Sequence, residues 1–302
     1  MLKNLLILLF AFSILGVSFG QDQQDTTQIR KGRLIGVSAL AGTAYIGGIT
    51  GLYYLWYKDY DQSKFHLIND NKAWLQVDKV GHSFSAYQMG RVAFTGFRWA
   101  GLDEKKSVWI GGTYGFVFLT TVEVFDGLST NWGFSWGDVI ANAAGTGLFI
   151  GQQLGWKEQR IQVKFSYSPS KYAQYNPDLL GSKHTERFLK DYNAQTYWLS
   201  INPQSFSSSR KIFPKWLNFA VGYGAKGMTG TYYNPEEIDG ETIPCFNRTR
   251  QFYLSLDLDL TKIKTRSEFL RLVLEVANMV KIPFPTLEYN SEDGVEFHAI
   301  YF

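Results

Sequence analysis

Along the first half of the chain apolar residues run in long blocks broken by isolated polar positions, and along the second half they alternate with polar ones. From Leu34 to Tyr57 no side chain is charged, which predicts one apolar helix of about the ~20 residues that a bilayer span needs. Ala44 with Gly48, and Gly47 with Gly51, stand four apart, a spacing at which small residues let two helices approach closely. The stretch ends in Tyr53, Tyr54, Trp56 and Tyr57 ahead of Lys58 and Asp59, an order met at membrane interfaces. A core helix of a soluble bundle has the same pattern, and both readings stay open. Residues 78–100 predict a second helix, with Asp78 at its start, where a carboxylate complements the helix dipole. Residues 107–126 predict a third, apolar as far as Glu123, and 128–136 read as a loop. Ser135 with Asp138 is a start signal for a fourth helix over 136–154, in which Gly145, Gly147 and Gly151 suit close packing.

After Trp156 the period becomes two. IQVKFSYS, TYWLSIN at 196–202, WLNFAVGYG at 216–224, QFYLSLDLDL at 251–260 and the terminal VEFHAIYF predict half-buried antiparallel strands. Residues 266–280 read as a helix with Leu270, Leu274 and Ala277 on one stripe. The expected fold class is therefore α+β. A glycine-rich helical bundle over 33–156, which a membrane can hold, precedes an antiparallel β-rich region over 157–302. The closing Phe302 resembles the end of outer-membrane barrels, but the strands are too few to assert a closed barrel of ~8.

Lys3, the apolar run Leu5–Leu15 and the small residues Ser18 and Gly20 read as a secretory signal over 1–20, followed by a flexible polar leader over 21–32. No cysteine stands near the expected cleavage point, which does not support a bacterial lipid anchor. The formal charge of +3 falls to about +2 without Lys3 and argues against bulk nucleic-acid binding. The single cysteine, Cys245, cannot form an internal disulfide or a cysteine zinc cluster. Aromatic residues make up 17% of the chain, a composition that recurs in envelope proteins with membrane-facing surfaces.

Three polar clusters interrupt the apolar blocks: Asp78, Lys79 and His82; Glu123 and Asp126; Ser135, Asp138 and Asn142. Buried polar groups are costly unless they partner one another. Asp78 and His82 are four apart, as are Asp138 and Asn142, so each pair shares a helical face. A hairpin between the third and fourth helices brings Glu123, Asp126, Asp138 and Asn142 to one end. In an up-down bundle the start of the second helix lies beside them. His66, His184 and His298 stand apart from these clusters and read as packed or surface residues.

The segments DKVGHSFSAYQMGR, VEVFD and SWGDVIANAAGTGLF resemble those of the YfiM-type family of periplasmic lipoproteins, over roughly residues 34–156. The later strands resemble the C-terminal extensions of such proteins in Bacteroidetes-like bacteria. More distantly the chain is similar to the VanZ-like family, which pairs a D-K-x-x-H segment with later acidic and D-x-x-x-N-x-x-G segments in membrane helices. The resemblance places Asp78, Lys79, His82, Glu123, Asp138, Asn142 and Gly145 on the shared pattern. It implies an envelope setting, through the association of VanZ-like proteins with glycopeptide resistance, and it implies no established reaction.

Three functional readings follow. The first is an exported, periplasm-facing envelope protein with a structural or binding role, at the outer rather than the inner membrane, with membrane lipid and an envelope protein as partners. The second is an envelope enzyme, a hydrolase or transferase acting on a lipid, a lipid-linked phosphate or a glycan. In it His82 serves as general base or metal ligand, Glu123 and Asp138 complete a metal site or position a water, and Lys79 binds a phosphate or polarises a leaving group. The third is a channel or transport accessory, since ionisable residues in membrane helices mark ion paths. No cofactor is assigned, and one histidine is thin support for zinc.

Overall fold

The computed structural model describes residues 28–58, 60–206 and 214–302; the expected signal segment and most of the leader lie outside them. Helix α1 spans Lys31–Leu52 and runs into a π-helical turn at Tyr53–Tyr57. Helix α2 is Val77–Trp99. The expected third helix is two, α3 Glu104–Gly112 and α4 Tyr114–Asp126, meeting at Thr113. Helix α5 is Trp136–Trp156. Two-residue strands β1, Leu67–Ile68, and β2, Phe134–Ser135, pair in parallel and tie the loop before α2 to the start of α5.

Strands β3 Ile161–Tyr167, β4 Gln195–Ile201, β5 Leu217–Lys226, β8 Thr249–Leu258, β9 Phe284–Asn290 and β10 Gly294–Tyr301 form one antiparallel sheet in the order β10-β9-β8-β5-β4-β3. Strands β6, Glu237–Ile238, and β7, Glu241–Thr242, make a small separate hairpin. Short helices α6 Pro177–Leu180 and α7 His184–Lys190 lie between β3 and β4, and α8 Glu268–Ala277 lies between β8 and β9. The fold is α+β, helices first and an antiparallel sheet after. Strand β9 has no counterpart in the alternation read from the sequence, because prolines at 283 and 285 break its pattern.

Two compact units divide the chain. One holds residues up to Asp70, His82–Gln159 and Arg266–Val273; the other holds Asn71–Gly81, Arg160–Thr265 and Leu274–Phe302. In the first unit the helices meet through missing side chains. A methyl group at Gly145 of α5 would overlap the Ser83 carbonyl of α2, and one at Gly115 of α4 would lie 2.6 Å from the Ala86 carbonyl oxygen. Ser83 donates to the Ala141 carbonyl at 2.8 Å across the same contact. Gly147 and Gly151 face open space, so only one of the three expected packing glycines of α5 is used for contact. Tyr87, Phe94 and Phe149 pack edge to face between α2 and α5. Helix α1 lies on α4 through Tyr45, whose ring meets Phe118 and whose hydroxyl bonds Thr121 at 2.5 Å. Lys31–Leu52 and Glu104–Asp126 are each long and apolar enough to cross a membrane, a test that core helices also pass.

Candidate functional site

His82 faces inward from the second turn of α2. Its Nδ1 lies 3.0 Å from Asn142 Oδ1 on α5. An amide oxygen only accepts, so Nδ1 donates there, and Nε2 is the ring nitrogen turned to the carboxylates. That Nε2 stands 3.7 Å from Asp138 Oδ1 and 3.9 Å from Glu123 Oε1. These separations are too long for hydrogen bonds. One ligand atom from each of the three residues falls within 4.8 Å of the others. Glu123, Asp138 and Asn142 are buried, while the His82 side chain keeps 23% of its surface open to solvent.

The carboxylates are held from behind. Ser135 closes the N-terminus of α5 by accepting from the Asp138 backbone N–H at 3.2 Å, and its hydroxyl donates to Asp70 Oδ1 at 2.5 Å. The Ser135 backbone N–H donates to Glu123 Oε2 at 3.2 Å. The β1–β2 pairing, Ile68 opposite Ser135, is what carries Asp70 to this point. Tyr57 donates to Asp126 Oδ1 at 2.5 Å. Burial, then the charges of Asp138 and Asp126, pushes Glu123 up to about 9. Burial also raises Asp126 to about 6, opposed by the Tyr57 hydroxyl. Asn142 Nδ2 is buried with no hydrogen-bond partner among the described residues.

Of the residues singled out in the sequence, His82, Glu123, Asp138 and Asn142 come together. Asp126 stands one helical turn beyond Glu123, engaged by Tyr57. Asp78 and Lys79 form an ion pair of 3.1 Å in the first turn of α2, in the segment that groups with the second unit. Tyr57 and Asp70 were missed. Tyr57 reads as part of an interfacial aromatic run, and Asp70 sits in the polar stretch KFHLINDN, which looks like solvated loop. No local signal distinguishes either. His298 is not isolated, since its Nε2 lies 2.9 Å from Glu288 Oε2 across β9 and β10.

Every one of these helix-borne positions, Asp78 through Asn142, falls in a single matched segment. Residues 67–150 match the family described as predicted periplasmic lipoprotein (DUF2279). The DUF2279 segment opens at β1 and closes near the end of α5, so it takes in the His82, Glu123 and Asp138 constellation with Asp70 and Asn142. The sheet from β3 onward lies outside it. No curated protein and no solved structure matches the chain.

Proposed function

We propose that this is a periplasm-facing, membrane-associated protein of the bacterial envelope whose helical unit binds a divalent cation through His82 Nε2, Glu123 and Asp138. The observation that carries the reading is a histidine ring nitrogen facing two buried carboxylates, at distances longer than hydrogen bonds. Ligand atoms around an ion with bonds of about 2.0–2.2 Å sit roughly 3–3.6 Å apart, so the two histidine-to-carboxylate separations of 3.7 and 3.9 Å need to close only slightly. Asn142 on Nδ1 and the Ser135 N–H on Glu123 then act as the orienting partners that metal ligands ordinarily have. A cation also answers the mutual repulsion of Glu123, Asp126 and Asp138. The export signal read in the sequence and the periplasmic description of the matched family support the location.

A second reading is favoured by the opening at His82. An ion with three protein ligands and a solvent-reached side keeps a position for water, as hydrolytic sites do. The substrate class would be a lipid, a lipid-linked phosphate or a glycan. The test is calorimetry of the detergent-purified full chain with Zn2+, Mn2+ and Mg2+, beside His82→Ala and Asp138→Asn. One equivalent bound by wild type, with affinity reduced at least tenfold in both variants, supports the site. No binding at millimolar ion, with Asp138→Asn lowering the melting point by many degrees, returns the cluster to a purely structural network.

A further inference from the structure

The six-stranded sheet encloses charged and polar side chains and leaves apolar ones outside. In water a sheet encloses its apolar face and solvates the other. Here the enclosed face holds an aromatic cluster of Trp198, Tyr253 and Tyr301 with Ala220, and around it a set of buried polar and ionic side chains. Lys164 and Asp257, both fully buried, pair at 2.7 Å. Ser200 donates to Asp257 at 2.6 Å, and Asn218 donates to Ser200 at 2.8 Å. Thr286 bonds Ser255 at 2.9 Å, and Gln251 donates to Glu288 at 2.6 Å.

The opposite face is apolar, covered at Val163, Phe165 and Tyr197 and open from Leu199 across to β10. The strand registers align Leu199, Val221, Leu254, Leu287 and Phe297 in one row across β4, β5, β8, β9 and β10. The four aliphatic members are between 44% and 52% exposed, and Phe297 is 67% exposed. Beside that row runs a second, Tyr223, Phe252, Tyr289 and Val295, and on its other side Phe219 opposes Leu256. The charged residue on this face is Arg250, at the strand end beyond Phe252. An aliphatic centre is thus fringed by aromatic rings, with charge only at the margin.

We propose that this open face lies against the acyl chains of a lipid bilayer. A polar enclosed side with an apolar outer side is the favourable arrangement when the surroundings are hydrocarbon, as in membrane barrels. Aromatic side chains at the fringe match the interfacial position that Tyr, Trp and Phe take. A face whose charge is confined to Arg250 at one strand end also has little to offer the polar rim of a typical protein interface. The sheet is open, with β10 at one edge, while the far edge at β3 is partly satisfied by residues 279–281: the Phe165 N–H donates to the Met279 carbonyl at 3.0 Å and the Lys281 N–H to the Phe165 carbonyl at 2.9 Å. Hydrocarbon tolerates no bare strand edge, so contact is by the face, deepest at the central strands β5 and β8 and shallower at β10. The cation site plays no part in this contact.

The test uses the full chain with Cys245→Ser and single cysteines at Leu254→Cys, Phe297→Cys and, as an exposed control, Lys262→Cys, each carrying an environment-sensitive fluorophore. Variants are first checked for the wild-type melting curve. The proteins are then mixed with phosphatidylethanolamine–phosphatidylglycerol vesicles carrying acyl-chain nitroxides. Quenching at 254 several-fold above that at 262, with 297 between them, is the expected result. A vesicle-bound protein whose label at 254 is quenched by aqueous iodide and not by the nitroxides overturns the proposal. So does a vesicle-free dimer in which Leu254→Cys cross-links to its counterpart, since a second copy then covers the face. Repeating the 254 measurement in His82→Ala separates this outcome from the fate of the cation site, because quenching there should be unchanged.

Discussion

At the scale of single residues, the cost of burial organises the helical unit. Glu123 gains a proton in the folded state because it is desolvated beside Asp138 and Asp126. With its carboxyl raised from 4.5 to about 9, the folded protein holds more protons than the unfolded chain between those values. Stability of the cation-free protein should therefore fall as pH rises through that window, at up to about 1.4 kcal/mol per pH unit. Asp126 adds the same sign between about 4 and about 6. Urea unfolding from pH 5 to 9 reads this slope. Glu123→Gln should flatten it above pH 6, and saturating Zn2+ should flatten it in the wild type. Gly145 and Gly147 give a steric contrast two residues apart. Gly145→Ala drives a methyl into the Ser83 carbonyl, whereas Gly147→Ala meets nothing. The first should destabilise by about 1–3 kcal/mol or more, and the second should leave thermal stability equal or raised by up to about 1 kcal/mol.

At the scale of elements, the helices and strands were largely legible in the sequence. The charge-free block, the start signal at Ser135 and Asp138, and the alternation after Trp156 correspond to α1, α5 and five strands of the sheet. The break at Thr113 was not, because an apolar run has the same composition whether or not it bends. Strand β9 was hidden by its prolines, which sit at its start. The enclosed Lys164–Asp257 pair makes a prediction of its own. Lys164→Met removes the cation 2.7 Å from a fully buried carboxylate and should cost about 3–5 kcal/mol in chemical unfolding. The double variant with Asp257→Leu should recover only part of that loss, since it replaces the ion pair by apolar groups but takes Asp257 away from the buried Lys281 and from the Ser200 hydroxyl and Ile282 N–H.

At the scale of the whole molecule, the sequence by itself determined the class, α+β, the order of helices before strands, and the positions of the polar interruptions. Those follow from local physics: periodicity, capping and the penalty on charges within apolar runs. Tertiary structure alone decided two things. It chose the partners of His82, because which carboxylate meets which nitrogen depends on how closely α2 and α5 approach at Gly145 and on the β1–β2 pairing that delivers Asp70. It also chose which face of the sheet is enclosed. Alternation of period two is unchanged when the two faces are exchanged, so a strand such as QFYLSLDLDL does not say whether its leucines or its serine and aspartates go inside. That choice belongs to the network around Lys164 and Asp257, whose members lie far apart in the chain and meet only once the strands have paired.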